Sequence, residues 1–302
     1  MSIISDWWDD LWEGTRAGMG DIIANMYHIK LNIFNIDFDS ENIIKTVKSI
    51  TDWSSIQNLG SNNGITLYSI GETINSIIQP VALSLLAIFF MINIINQCKE
   101  IERLSWERVG WWGLQLFILK FFVTNSYMFC TKIMTLVNEI YVDVGSRLNI
   151  GSTYTLDEGF RTAFANMGGS FLHLLLPCLL YLVLLFPYIG TMVQIWAQLI
   201  LRVVKILFCM AFSPIPIALA IEEENYRGKA VQYLMYTAGV GFEGVLILVG
   251  SYIYALGMSS IAGIGGENLG VLGHIVGILI LNSLFVAIIQ LAHEFTDRLF
   301  VR

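Results

Sequence analysis

Charged side chains are scarce in this sequence: they make up 14% of its 302 residues, whereas hydrophobic side chains make up 55%. Soluble domains usually carry about a quarter charged residues, so this chain has roughly half of the usual supply. A chain of this size with so few polar groups cannot cover a globular surface with them. The scarcity excludes an ordinary soluble protein and predicts an all-α, multi-pass membrane protein.

Cysteine and histidine are also sparse, with four of each, and neither follows a ligand pattern. The cysteines lack Cys-x-x-Cys spacing, and the histidines stand apart from one another and from acids at ligand spacing. No serine, cysteine or carboxylate stands in a recognisable catalytic arrangement. We therefore predict no disulfide framework, no metal site, no cofactor and no enzymatic activity. The residues are Cys98, Cys130, Cys178, Cys209, His28, His173, His274 and His293.

The first quarter of the chain is acidic and rich in tryptophan. Residues 1–73 hold ten acidic against four basic residues, which accounts for nearly all of the formal charge of −7. Such a region is poorly suited to nucleic acids or anionic lipids. Trp7, Trp8 and Trp12 suit a membrane–water interface, where they would anchor a helix in the membrane plane, or they pack onto the rest of the protein. We predict an amphipathic, extracytoplasmic region over 1–73, followed by a helical membrane domain over 74–302.

Five apolar runs are long enough for membrane spans, since a span needs about 20 residues. The second run is predicted to continue as an amphipathic helix towards Leu148. The third, Gly168 to Ile221, is longer than one span, and its only charges are Arg202 and Lys205. The five runs begin near Ile74, Val109, Gly168, Ala230 and Val271.

Two prolines, Pro214 and Pro216, interrupt the apolar stretch FSPIPIALAI. Proline removes a backbone donor, and an unpaired backbone group in lipid costs several kcal/mol. We interpret residues 195–221 as a re-entrant or interfacial helix that the prolines end at the cytoplasmic side. The alternative is a proline kink within an ordinary span, which leaves five or six spans open.

The distribution of Lys and Arg predicts the orientation, because these residues concentrate in cytoplasmic loops. If the N-terminus is outside and 195–221 does not cross fully, nine bases near span ends lie inside and three outside. If 195–221 crosses, the count becomes five against seven. The first arrangement predicts five spans in the cell membrane, with the N-terminus outside and the C-terminus in the cytoplasm. The nine are Lys99, Arg103, Arg108, Arg202, Lys205, Arg227, Lys229, Arg298 and Arg302.

A few charged residues within the apolar runs are candidates for a structural or gating role. Lys120 and Glu243 stand near the centres of two predicted spans, where each is costly alone. A pair between them would line a pore, relay protons or simply stabilise the fold, while a lone Lys120 would snorkel to the interface. We add Arg202, Lys205 and the two prolines to these candidates.

Glycines form two clusters that predict close helix packing, within one subunit or between subunits. One cluster falls at spacings of four, three and four, which places its members on one helical face if the helix begins early. The other lies in the fourth predicted span. The helix-packing candidates are Gly241, Gly244, Gly266, Gly270, Gly273 and Gly277.

The segment Leu207 to Leu256 reads LFCMAFSPIPIALAIEEENYRGKAVQYLMYTAGVGFEGVLILVGSYIYAL. Its apolar run, Ser-Pro-Ile-Pro, charged turn, tyrosine-bearing helix start and GFEGVLIL resemble the signature region of TrbL-type conjugal transfer proteins. These are polytopic inner-membrane components of type IV secretion systems, and the likeness is to the short form of Gram-positive bacteria. The stretch KFFVTN from Lys120 to Asn125 and the acidic, tryptophan-bearing N-terminus are similar too.

The resemblance implies a non-enzymatic membrane subunit that forms or scaffolds the inner-membrane conduit of a conjugation machine. The implied partners are further copies of the chain, secretion ATPases, a bitopic assembly factor, pilus or surface components, and the lipid bilayer. Single-stranded DNA with its attached relaxase is an expected passenger by resemblance alone. Two other functions stay open: an ion-coupled secondary transporter or permease, and a membrane-embedded assembly factor without a conduit.

Overall fold

A computed structural model describes most of the chain. The described residues are 2–33, 36–39, 42–61, 65–98, 106–148, 171–221, 227–264 and 270–300. In this part the helices are α1 (Ser2–Tyr27), α2 (Ile43–Thr51), α3 (Trp53–Gln57), α4 (Leu67–Cys98), α5 (Trp106–Thr124), α6 (Ser126–Arg147), α7 (Phe171–Ala211), α8 (Pro214–Ala218), α9 (Arg227–Ile264) and α10 (Gly270–Phe300). A 3-10 turn at Leu219–Ile221 follows α8, and the strands are β1 (Lys30–Ile33) and β2 (Ile36–Asp39).

The structure confirms the predicted class, an all-α polytopic membrane protein. Among the described residues, four helices are long and apolar enough to cross a membrane, within Leu67–Ile95, Cys178–Ala218, Ala230–Ser260 and Val276–Phe300. The pair Gly110–Thr124 and Ser126–Arg147, bent by 64°, makes a fifth if it forms one span.

The chain divides into two compact units, each assembled from separate stretches of sequence. The first contains Met1–Ile50, Val144–Ile200 and Leu246–Leu291, and the second contains Thr51–Asp143, Leu201–Val245 and Ala292–Arg302. The boundary predicted at residue 73 separates an acidic part of the sequence from the rest. As a boundary between structural domains it stays a prediction.

Polar and aromatic contacts between helices organise the first unit. Asn282 is fully buried and accepts a 2.8 Å hydrogen bond from the Tyr254 hydroxyl, while its amide donates to the Thr191 hydroxyl at 3.4 Å. These contacts join α7, α9 and α10 through one side chain, a common device in membranes. The Tyr27 hydroxyl of α1 donates to the Tyr181 carbonyl of α7 at 2.8 Å.

A two-stranded hairpin is present in the N-terminal region, for which we predicted an amphipathic character and no strands. Strands β1 and β2 pair antiparallel, with Lys30 opposite Asp39 and Ile33 opposite Ile36. Ile36 and Phe38 are both buried, and Phe38 packs against Trp196 with ring centroids 5.4 Å apart. The alternation of apolar and polar residues in IDFD is the strand signal that our interpretation passed over.

Helix α7 runs without interruption for 41 residues. At 1.5 Å per residue this is about 60 Å, roughly twice the hydrocarbon thickness of a bilayer. Residues 195–211, which we assigned to a separate re-entrant helix, continue α7 instead. The reason is visible in the sequence, because neither glycine nor proline occurs between Gly190 and Pro214. The separate proline-bearing element is thus confined to the short helix α8 and the turn after it.

The second predicted span is bent where we expected a continuous helix. The bend falls at Asn125, whose amide Nδ2 donates back to the Phe121 carbonyl at 2.9 Å. The Thr124 carbonyl accepts a 2.7 Å hydrogen bond from Gln79 Nε2 of α4. A broken helix at membrane depth is tolerated where protein groups satisfy the freed backbone, and Gln79 does so here.

Asp52 begins α3 as its N-cap. One carboxylate oxygen, Oδ2, accepts hydrogen bonds from the Ser55 backbone N–H at 3.2 Å and the Ser55 hydroxyl at 2.9 Å, and also from the Ser54 hydroxyl. Partial burial raises the pKa of Asp52, but hydrogen bonds from Ser54, Ser55 and Asn138 outweigh burial and hold this pKa below its ordinary value. The ionised cap therefore stabilises the folded state.

We expect Asp52→Ala to lower the free energy of unfolding by about 1 kcal/mol near pH 7. Because the folded-state pKa is the lower one, the contribution is complete above the unfolded pKa of about 3.9 and is lost as pH falls through the folded value. Thermal unfolding of the purified wild type and the variant between pH 3 and pH 7 measures this contribution to stability and its dependence on pH. Glu139→Gln, which removes an exposed carboxylate from α6, is the control. A difference between wild type and Asp52→Ala that does not shrink at low pH would contradict the assignment.

Candidate functional site

The C-terminal end of α7 is buried, and its sequence explains why the helix ends there. The last regular bond joins the Phe212 N–H to the Phe208 carbonyl at 3.0 Å. Pro214 has no N–H, so it cannot bond to the Met210 carbonyl one turn back. The Ile215 N–H bonds to the Phe212 carbonyl at 3.2 Å, which starts α8. The carbonyls of the last turn therefore need donors from elsewhere.

Asn75 of α4 is the main donor to this helix end. Its Nδ2 lies 3.0 Å from the Met210 carbonyl oxygen, 3.2 Å from that of Ala211 and 3.2 Å from the Ser213 hydroxyl. The side chain is only 5% exposed. Asn75 thus supplies to Met210 the hydrogen bond that Pro214 cannot make.

Two hydroxyls complete the set of donors. The Ser213 hydroxyl donates to the Met210 carbonyl at 2.8 Å. The Tyr233 hydroxyl of α9 donates to the Cys209 carbonyl. All three carbonyls before the break are thereby satisfied, by groups from α4, α9 and the break itself.

Helix α8 packs tightly beyond this break. Its residues Ile217 and Ala218 form a buried cluster with Ala82 and Leu86 of α4 and Val123 of α5. The proline-bearing element is therefore a built part of the second unit, held by apolar contacts as well as by Asn75.

A second polar feature of the same unit is a group of five charged or titratable side chains, which we call the charge cluster. It consists of Arg202 and Lys205 of α7, Glu243 of α9, and His293 and Asp297 of α10. Arg202 and Glu243 are each only 3% exposed and attract each other electrostatically. Arg202 Nη2 also donates to the carbonyls of Gly241 at 3.3 Å and Val240 at 3.5 Å.

Gly244 makes room for this arginine. A Cβ atom at position 244 would lie 2.2 Å from Nη2 and 2.7 Å from Cζ of Arg202, far inside van der Waals contact. Gly241, one turn earlier, would bring a Cβ to 3.2 Å from Met134 Sδ and Val137 Cγ1. A side chain at Gly241 would press on α6, whereas the missing side chain at Gly244 leaves room for a buried charge.

His293 connects the buried acid to more accessible charges. Its Nδ1 lies 3.8 Å from Glu243 Oε2 and 3.1 Å from Lys205 Nζ. Its Nε2 lies 3.4 Å from the same Lys205 Nζ and 3.5 Å from Asp297 Oδ2, one turn along α10. The His293 side chain is 40% exposed and that of Glu243 only 4%, so the ring lies between the surface of the protein and the buried carboxylate.

The structure brings three of the candidate charged residues together and leaves one apart. Arg202, Lys205 and Glu243 meet in the charge cluster. Lys120 is exposed on α5, and among the described residues no ion pair joins it to Glu243. The buried cation that attracts Glu243 is Arg202, and the pairing of Lys120 with Glu243 that we considered is not formed.

The remaining candidates have different locations. Pro214 begins α8 and Pro216 lies inside it. Gly270 begins α10 and both Gly273 and Gly277 lie in that helix, where they are partly buried, while Gly266 falls outside the described residues. The predicted anchors Trp7, Trp8 and Trp12 all belong to α1. Their roles in packing and anchoring stay predictions.

Three important residues were missed from the sequence: Asn75, Tyr233 and His293. For Asn75 and Tyr233 no local signal exists, because their partners lie 135 and 24 residues away along the chain. For His293 a signal was present, since HEFTD places Asp297 at the i+4 position, on the same helical face.

A small cavity of about 10 Å³, the size that one water molecule requires, adjoins the buried arginine. Its lining includes Arg202, Thr51 and Tyr141, and the Thr51 hydroxyl donates to the Tyr141 hydroxyl at 2.8 Å. Across the described stretches, no three His, Cys, Asp or Glu side chains are placed to hold a metal ion.

The fold and the site define a class, an α-helical multi-pass membrane protein with buried polar groups inside its helix bundle. No protein-family model, no curated protein and no solved structure shows a significant match to this chain.

We expect Asn75→Leu to destabilise the protein by about 1–3 kcal/mol, because the Ala211 carbonyl loses its donor and the Met210 carbonyl keeps only the Ser213 hydroxyl. Combining it with Pro214→Ala will cost less than the sum of the two single changes, since an alanine at 214 restores an N–H for Met210. Thermal unfolding in detergent or nanodiscs measures the four proteins of this cycle. Ser76→Ala on the same helix, whose hydroxyl bonds only within α4, serves as the control. Strict additivity would show that Asn75 does not replace the missing donor.

We expect Gly244→Ala to destabilise the protein by about 1–3 kcal/mol, because the new methyl group displaces the Arg202 guanidinium. Gly190→Ala on α7 is the matched control, since nothing lies within 4 Å of a Cβ there, and it should be neutral or slightly stabilising. The melting temperatures of the two variants, compared with that of wild type, measure the difference. Equal stability of Gly244→Ala and wild type would mean that the guanidinium does not occupy this space.

Proposed function

We propose that this protein is a non-enzymatic membrane subunit of a type IV secretion or conjugation machine, which forms or scaffolds the inner-membrane conduit for DNA–relaxase transfer. The proposal starts from the resemblance of residues 207–256 to TrbL-type proteins. That segment comprises the last turn of α7, the proline-bearing α8 and most of α9.

One structural observation supports the proposal more than any other. The resembling segment is not a peripheral loop: it holds the helix break that Asn75 and Tyr233 satisfy, and α9 is the most buried of the candidate spans. In the most apolar stretch of α9, 67% of the residues are buried, against 11–33% in the corresponding stretches of the other candidate spans. Residues 207–245 of the resembling segment thus belong to the second unit and include its helix break, while residues 246–256 belong to the first unit.

The proposed location is the cell membrane, with the N-terminus outside and the C-terminus in the cytoplasm. The distribution of Lys and Arg residues supports this orientation. The orientation requires that residues 195–221 add no separate crossing. The continuous helix α7 is in accord with that requirement, because it holds residues 195–211 in the same helix as the preceding apolar run.

The proposed partners are further copies of this chain, the secretion ATPases, a bitopic assembly factor, and pilus or surface components. Helix α4 offers a surface for such contacts, since only 11% of its most apolar stretch is buried. Exposed apolar side chains such as Ile77, Val81, Ile88 and Met91 lie along it. Lipid or another membrane subunit would cover this face.

We expect deletion of the gene to abolish transfer of the mobile element while growth and solute uptake stay unchanged. Mating frequency from the deletion strain, with wild-type gene complementation as the control, measures this. Unchanged transfer would refute the proposal. Normal transfer with a defect in the uptake of one solute would favour the alternative, an ion-coupled permease, for which the buried charge cluster would be the coupling site.

A further inference from the structure

The indole N–H of Trp53, at the start of α3, is a buried donor without a protein acceptor in the described part of the chain. Trp53 is only 7% exposed, and its Nε1 makes no hydrogen bond to a described group. A buried donor left without an acceptor costs about 1–3 kcal/mol, so such a group needs an explanation. The side chain has no other polar atom, so only a partner at Nε1 removes this cost.

Other contacts hold this indole in place. The Trp53 backbone N–H donates to Asn138 Oδ1 of α6 at 2.9 Å, and the ring meets Tyr68 of α4 edge to face, with centroids 6.1 Å apart. Asn138 also hydrogen-bonds to Asp52, the N-cap of α3, so two bonds attach the start of α3 to α6. Turning the indole towards another acceptor would break its contact with Tyr68.

Trp53 lines the small cavity beside Arg202. The cavity has a volume of about 10 Å³, which is room for one water molecule and for no larger group. All of its lining residues belong to the second unit, and all except Asn138 are buried. The lining residues with polar side-chain atoms are Thr51, Trp53, Asn138, Tyr141 and Arg202.

This lining offers both a donor and acceptors to a water molecule, which needs about 2–4 polar partners. The donor is the Trp53 indole N–H, and the hydroxyl oxygens of Thr51 and Tyr141 are acceptors. The Thr51 hydroxyl donates its proton to Tyr141 at 2.8 Å, so towards a further group the Thr51 oxygen can act only as an acceptor.

The charge and polarity of the lining exclude the other occupants. Arg202 repels a cation, and its own charge is already opposed by the buried Glu243, so a neutral ligand fits best. Cavities that stay dry are lined by apolar groups, whereas this one has an indole N–H, two hydroxyls, an amide and a guanidinium.

We propose that this cavity binds one water molecule, which accepts the hydrogen bond of the Trp53 indole and donates to at least one of the hydroxyl oxygens of Thr51 and Tyr141. The site forms where α2 and α3, of 9 and 5 residues and too short to span a membrane, pack against α6 and α7. The bound water satisfies the only polar atom of the Trp53 side chain. It thereby stabilises the packing of α3 against the bundle.

The first experiment is a crystal structure of the full-length protein grown in a lipid phase, at a resolution that shows ordered water. We expect density for one water molecule within hydrogen-bonding distance of Trp53 Nε1. An empty cavity, or an indole N–H that meets a protein acceptor, would overturn the proposal. A second crystal, soaked in bromide, distinguishes water from an anion. Anomalous signal from bromide at this position would also overturn the proposal.

The second experiment observes the indole N–H by NMR, in the full-length protein in nanodiscs with ¹⁵N-labelled tryptophan. Trp53→Phe assigns the Trp53 signal among the eight tryptophans. We expect magnetisation transfer from water to the Trp53 indole proton in wild type. We expect transfer of similar strength in Thr51→Val and in Tyr141→Phe, because each variant leaves one hydroxyl partner for the water.

The two hydroxyl variants are the controls, since a hydroxyl proton that exchanges with water could relay the transfer without a bound water molecule. Loss of transfer in either variant would assign it to that hydroxyl, and absence of transfer in wild type would show a dry cavity. Either result would contradict water binding. If Trp53→Phe does not fold, the crystal structure decides by itself.

Discussion

The end of α7 shows the constraint on which the second unit depends: a backbone carbonyl buried in a membrane protein must find a protein donor, because water is absent. Pro214 withdraws the donor that would serve Met210, and an unsatisfied group there would cost several kcal/mol. Asn75 and Tyr233 provide donors from α4 and α9. Apolar packing alone tolerates sliding, whereas these bonds require particular atoms to meet. The proline-bearing sequence thus fixes the positions of two other helices relative to the end of α7.

The same rule explains two further features of this unit. At the bend after α5, Gln79 of α4 satisfies the Thr124 carbonyl, so both interruptions of long helices are served from α4. At the charge cluster, the Arg202 guanidinium donates to the Gly241 and Val240 carbonyls in addition to attracting Glu243. Polar side chains in the bundle lie where a backbone carbonyl lacks a donor or a charge lacks a partner. Their contacts therefore fix the positions of helices whose other contacts are mostly apolar.

Features of the fold that composition and periodicity control could be predicted from the sequence. Features that depend on contacts between residues far apart in the chain were missed. The helical membrane class follows from the scarcity of charge, and the interruption at Pro214 follows from local backbone chemistry. The 64° bend was missed because Asn125 is a weak helix breaker whose effect depends on Gln79, 46 positions earlier. The partner of Glu243 was missed because two cations, Lys120 and Arg202, lay in apolar runs and only tertiary packing selects between them. The hairpin was missed because its four-residue strands are too short to dominate the helical pattern around them.

The charge cluster is difficult to explain as a device for stability. Replacing buried charges of opposite sign with apolar side chains of similar volume is often neutral or stabilising, so their attraction alone gives little reason for Arg202 and Glu243 to be there. The cost is compounded by Gly244, since a glycine inside a helix is itself unfavourable and here it leaves room for the guanidinium. The cluster does, however, supply what apolar side chains cannot, because each of its polar groups requires a particular partner. Like the hydrogen bonds of Asn75 at the end of α7, these contacts restrict which arrangements of α7, α9 and α10 the second unit can adopt.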